Sequence, residues 1–127
     1  MSQQILISNG EILDKFSILS IKLSKIHDKN KLININNEIN YLEPIFLDIF
    51  NIGSEIKTLY DNLKDINEKL WTIEDNIRTK EKLQQFDSEF IDLARQVYIT
   101  NDERARIKKQ INLKSKSYLI EEKSHES

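Results

Sequence analysis

The chain has 127 residues, with 19 Lys+Arg against 21 Asp+Glu and 39% hydrophobic side chains, so a single domain with its own core is expected. Cysteine is absent, which excludes disulfide frameworks, thiolate catalysis, iron–sulfur clusters and Cys-based zinc sites together. A net charge of −2 argues against a surface built throughout for nucleic acid, and two Gly with one Pro leave too little turn chemistry for an all-β fold.

The elements therefore read as helices. Ser8-Asn9-Gly10-Glu11 has the spacing of a capping box, so a first helix starts near Asn9. Ile12, Phe16, Leu19, Leu23 and Ile26 repeat at steps of four and three, carrying that helix to about His27. Leu13, Ile18 and Ile21 lie off this stripe, and the extra apolar surface points to a second neighbour or a second subunit. Asp28 caps a second helix through Leu32, Ile35, Ile39 and Leu42, which Pro44 is expected to end or kink at Tyr41 to Glu43. Residues 45 to 53 then read as a connector with some helical turns. Ser54 is expected to cap a long third helix with the unbroken stripe Ile56, Leu59, Leu63, Ile66, Leu70, Ile73, Ile77. A reversal at Gln84 to Asp87 leads into a fourth helix through Phe90, Leu93, Val97, Ile107 and Ile111, reaching Leu113 and forming an antiparallel hairpin with the third.

The expected architecture is all-α, a small bundle of about four helices with a long antiparallel helical hairpin. Residues 1–113 form the domain and 114–127 a partly ordered C-terminal tail carrying the short apolar cluster Tyr118, Leu119, Ile120. No apolar run approaches the ~20 residues of a membrane span, and Met1 to Ile7 lacks a basic segment and a cleavage site. A cytoplasmic protein without a membrane span is expected.

On a wheel of about 100° per residue, Asn101, Arg104 and Lys108 fall inside the apolar arc of the fourth helix. Thr100 and Tyr98 lie at its edges, while Arg95, Asp102 and Arg106 share another face. On the third helix Glu74 shares the apolar arc, Arg78 and Trp71 flank it, and Asp75 points further out. All four Arg fall between positions 78 and 106, where a planar two-donor fork does what Lys cannot. A charge buried without a partner costs several kcal/mol, so Arg104 and Lys108 must find carboxylates, reach water or bind an anion. The first outcome is a structural network. The last is an anion pocket with Arg104 and Lys108 as clamps, Asn101 and Tyr98 as hydrogen-bond partners and Glu74 as a base. Ala94 and Ala105, eleven residues apart, return nearly to one face and admit the close approach of another helix.

Between Arg104 and Lys116 stand six cations and no acid, but no aromatic residues interleave them for base stacking, so nucleic acid is disfavoured. His27 and His125 are too few and too far apart for a Ser-His-Asp arrangement. No phosphate-loop, zincin or dinucleotide motif is present, and neither cofactor nor metal is expected.

The segments Gly10-Glu11-Ile12-Leu13-Asp14-Lys15, Leu70-Trp71-x-Ile73-Glu74-Asp75-x-Ile77-Arg78 and Leu93-Ala94-Arg95-x-Val97-Tyr98-x-Thr100-Asn101-Asp102-x-Arg104-Ala105 resemble a bacterial domain family of unknown function. Its catalogue number is six-one-six-five, and the resemblance extends to Leu119-Ile120-Glu121-Glu122-Lys123-Ser124. The resemblance implies a helical architecture and an association with surface-glycan and glycosyltransferase genes. It also implies that Glu74, Asp75, Arg78, Arg95, Tyr98, Asn101, Asp102 and Arg104 belong together. The chain departs from the family pattern at His125, where Tyr is expected.

The leading functional expectation is a non-enzymatic helical interaction or accessory module, linked to surface-glycan synthesis, that uses Ile18 and Ile21 for self-association or for a protein partner. The alternative is a ligand-binding protein or enzyme for a small anionic substrate, phosphorylated or a nucleotide sugar, in which Arg104, Lys108 and Arg78 hold charge while Glu74 or Asp102 moves a proton. The residues alone decide neither for nor against catalysis.

Overall fold

In the computed structural model, which describes residues 1–125, four helices follow one another: α1 (Asn9–Lys25), α2 (Lys29–Phe50), α3 (Ser54–Lys82) and α4 (Ser88–Lys114). The last two positions of the expected tail lie outside the described residues. Each start has a local cause. Ser8 Oγ accepts from Glu11 N, Asp28 accepts from Asn30 N and Lys31 N, and Asp87 accepts from Phe90 N. That bond from Phe90, before the ion pair with Lys80, holds the Asp87 carboxyl below its ordinary range. The α3 start differs from expectation. Gly53 is the N-cap and Ser54 is already helical, so no side chain caps that end.

Both helix ends at the hairpin and the tail close without glycine. Gln84 and Lys116 take left-handed backbone angles, φ 57 and φ 55, and the next N–H of each reaches back to Lys80 O at 2.9 Å and Asn112 O at 2.8 Å. These are the six-to-one bonds of a Schellman closure.

The expected break at Pro44 does not occur, for α2 continues through Pro44 to Phe50. Proline removes one helix bond and costs about 3 kcal/mol in a helix interior. Pro44 and Asn40, whose carbonyl loses its partner, are both exposed, so water satisfies the orphan. Beyond the proline, Phe46 and Ile49 are buried. Phe46 stacks on Phe16 at 3.9 Å between ring centroids and lies 4.9 Å from the Tyr60 ring, with Phe50 edge-on to Tyr60 at 5.5 Å. Burial of these rings at roughly 2 kcal/mol or more apiece outweighs the lost bond.

Ile12, Leu13, Phe46, Ile49, Ile56, Tyr60, Leu63 and Ile111 make the core, with contributions from all four helices. α3 and α4 pair as the expected antiparallel hairpin, whose tip is tied by Lys80 Nζ, 3.0 Å from both Asp87 and Glu89. α1 lies antiparallel to α4, so that residue 10 meets 112, 11 meets 108 and 14 meets 104. The 29-residue α3 spans about 43 Å and the 17-residue α1 only about 25 Å, so the hairpin outreaches the helix packed on it. Of the described residues between Ile73 and Thr100, none is fully buried. Among the described residues no helix is long and apolar enough to cross a membrane.

Candidate functional site

Where α1 crosses α4, Gly10 is the point of closest approach. A Cβ at this position would stand 2.5 Å from the backbone carbonyl oxygen of Lys108, so only glycine fits. One turn further on, Asp14 occupies the seam among α1, α3 and α4 and is 1% exposed. Its Oδ1 accepts from Asn67 Nδ2 at 2.9 Å and from Arg104 Nε at 2.9 Å, while Oδ2 accepts from Arg104 Nη2. Asn67 Nδ2 also donates to Ser17 Oγ at 2.8 Å, and that hydroxyl donates to the Asp14 carbonyl at 2.7 Å. Two parallel bonds from a planar fork to one carboxylate are the arrangement for which Arg is irreplaceable. The Asp14 hydrogen bonds, before the opposing effect of burial, hold the Arg104 guanidinium above its ordinary value.

Lys108 sits beside this pair. Its Nζ donates to Glu11 Oε2 at 2.6 Å and lies 3.8 Å from Asp14 Oδ2. The expected capping box is thus half formed: Ser8 caps Glu11 N at 3.1 Å, but the Glu11 carboxylate turns to Lys108. Ser8 Oγ instead donates to Glu121 Oε1 of the tail at 2.6 Å. Asn112 Oδ1 accepts from Gly10 N at 2.6 Å, and its amide nitrogen reaches Glu121 Oε1 at 3.4 Å. Ser117 Oγ accepts from Asn9 N at 3.0 Å, and Ser115 Oγ from Asn9 Nδ2 at 2.9 Å. The tail is therefore laid back over the α1–α4 crossing by side-chain bonds; of its apolar cluster Tyr118 and Ile120 are exposed and Leu119 is half-buried.

The nine residues singled out in the sequence do not all come together. Arg104, Lys108 and Asn101 come together, with Asn101 Oδ1 3.5 Å from Arg104 Nη1. Asp102, expected on an outer face, is 3% exposed because the tail covers it, and Lys123 Nζ stands 3.5 Å from its carboxylate. Glu74 does not enter the buried arc. It is exposed and 4.0 Å from Arg78, an ordinary i,i+4 pair, although its charge is still felt at Arg104. Asp75 is exposed too, and its backbone carbonyl accepts from the Thr79 hydroxyl at 3.0 Å. Arg95 and Tyr98 lie on the outer surface of α4, Tyr98 at 51% exposure. The expected self-association residues move in the other direction: Ile21 is buried within one chain and Ile18 is half-buried.

Sequence reasoning missed Asp14, Ser17 and Asn67, yet a signal was present. Asn67 continues the rhythm Tyr60, Leu63, Asn67, Leu70, and Gly10, Asp14, Ser17, Ile21 repeat at four, three and four, all of them buried. Small and polar residues at core spacing mark a polar seam. No metal-holding group of His, Asp and Glu occurs among the described residues. The charged cluster has a sealed floor, the Asp14 carboxylate, and an open side toward which Arg104 is partly exposed. On that side α4 and the tail enclose a groove of about 350 Å³, lined by Arg104, Lys108, Lys109, Glu121, Glu122 and Lys123 among others.

No curated protein and no solved structure matches the chain. The family of unknown function DUF6165 matches residues 3–127, and the chain belongs to it.

Proposed function

We propose that this member of the family is a helical interaction module that pairs with a second copy of itself through the outward face of α4. The observation that carries the reading is the exposed stripe Ile91, Ala94, Arg95 and Tyr98, at positions i, i+3, i+4 and i+7 on the part of the hairpin that α1 does not reach. Ile91 is 59% exposed and Tyr98 51%, so both apolar bodies face water in the single chain. Ala94 between them has no bulk to hold another helix off. A two-fold contact is self-complementary and needs no outside partner. With its axis between Ala94 and Arg95, antiparallel copies of α4 set Ile91 against Tyr98 and bring each Arg95 guanidinium toward a Tyr98 ring. This replaces Ile18 and Ile21 as the contact surface. An accessory role in bacterial surface-glycan synthesis is supported by the sequence resemblance alone.

The chain has no cysteine, so a single Ala94→Cys is a clean probe. It should cross-link to a covalent dimer under mild oxidation, whereas Lys31→Cys on exposed α2 should not. Sedimentation equilibrium should show a concentration-dependent dimer that Ala94→Arg abolishes without loss of helicity. A parent that stays monomeric at millimolar concentration sinks the reading.

The alternative, an anion-binding protein or enzyme, is favoured by one observation, the groove beside Arg104. Asp14 and Glu11 already neutralise Arg104 and Lys108, and Glu74 stands outside the cluster. The geometry thus supports ligand binding in preference to proton transfer by Glu74.

A further inference from the structure

The groove between α4 and the tail has its charges arranged in depth. Beneath it lie the Asp14 and Asp102 carboxylates, whose side chains are 1% and 4% exposed. Their cations stand above them, toward water: the Arg104 side chain is 27% exposed and that of Lys123 33%. Lys109 of α4 also stands at the groove, its side chain 42% exposed. The groove lining itself carries five cations, Arg104, Arg106, Lys108, Lys109 and Lys123, against the two carboxylates Glu121 and Glu122, so its mouth is positive although Asp14, Glu11 and Asp102 compensate the cluster as a whole.

The tail supplies two carboxylates to this mouth, and they are held differently. Glu121 is anchored by Ser8 Oγ and Asn112 Nδ2. Glu122 is 73% exposed in its side chain and, among the described residues, is held by Lys109, with both oxygens on its Nζ at 2.8 and 2.9 Å. An exposed ion pair of this kind is weak and screened by salt, so Glu122 is exchangeable where Glu121 is not.

We propose that the groove is a binding site for a small phosphorylated ligand, and that Glu122 is its resident competitor. A phosphate group carries several acceptor oxygens and a charge near two, and the groove offers it Arg104 and Lys109 from α4 and Lys123 from the tail. Glu122 offers a single charge to a single lysine. A phosphate that enters takes the place of Glu122 on Lys109 while the Glu121 anchor keeps the tail on the body. The volume of about 350 Å³ suits a phosphate or diphosphate with a substituent of monosaccharide size. This deepens the anion-binding alternative and is independent of pairing through α4.

The test is calorimetric titration of the full chain with inorganic pyrophosphate at low salt, beside Glu122→Gln, Lys109→Met and Lys31→Met. Removing the competitor should tighten binding about two- to fivefold, the worth of one exposed ion pair. Lys109→Met should weaken binding about tenfold, and Lys31→Met, remote on α2, should leave it unchanged. Circular dichroism confirms that each variant folds. Pyrophosphate binding that Glu122→Gln leaves unaltered overturns the competitor role while the anion-binding alternative stands. No binding by the parent or by Glu122→Gln overturns both. A short oligonucleotide that binds where pyrophosphate does not would replace the small ligand by a nucleic-acid backbone and overturn the proposal.

Discussion

Replacing Arg104 with methionine tests the seam on which the site is built. The substitution keeps most of the side-chain volume but removes both donors of the fork from a carboxylate that is 1% exposed. Asp14 is left with the Asn67 amide at 2.9 Å and the Lys108 ammonium at 3.8 Å. Removing one partner of a buried pair costs about 3–5 kcal/mol, because the other charge stays desolvated. Lys108 remains within reach and the Arg104 side chain is itself 27% exposed, which sets the expectation near the lower end, about 3 kcal/mol. In a domain of this size that corresponds to a fall in Tm of roughly 10 °C. Urea denaturation at pH 7 measures the loss. The deficit should shrink in acid, where an orphaned buried carboxylate takes up a proton instead of remaining charged. Adding Asp14→Asn should recover part of it, since the amide still accepts from Asn67 and no lone charge remains. A loss under about 1 kcal/mol at pH 7, or one that does not diminish in acid, would refute the seam as an energetic hub.

Two further substitutions probe the helices that frame the seam. Gly10→Ala places a methyl 2.5 Å from the Lys108 carbonyl, which is backbone and cannot turn aside; a destabilisation of about 1–3 kcal/mol is expected by thermal denaturation, and a neutral result would mean that α1 and α4 slide apart freely. Pro44→Ala restores the missing α2 bond to Asn40 and should stabilise by about 2 kcal/mol, the interior cost of proline less its restriction of the unfolded chain. A lower Tm would show instead that the proline sets the angle at which Phe46 and Phe50 meet Tyr60.

The helical hairpin was legible because its cause is local. Leu63, Leu70 and Ile73 repeat with the period of the helix, and the same residues are buried in the fold. Asp28 as a cap and the reversal before Asp87 were readable for the same reason, since a cap bonds within three residues. Pro44 misled because its penalty is local while the burial that outweighs it comes from Phe16 and Tyr60 on other helices.

The candidate site was legible on one side only. A wheel shows that Arg104 and Lys108 point into an apolar arc, but it cannot show which carboxylates meet them, because Asp14 and Glu11 lie about ninety residues away on α1. Nor could it place the tail, whose Glu121 and Lys123 return to Ser8 and Asp102 and turn an outer face of α4 into a covered one. Sequence by itself determined what depends on neighbours three and four apart: the helices, most of their ends, the hairpin and the polar interruption of the α4 stripe. Tertiary structure alone decided the pairing of charges and the open groove beside them. A buried charge takes whichever partner the packing of distant helices brings within about 3 Å, and no local periodicity encodes that choice.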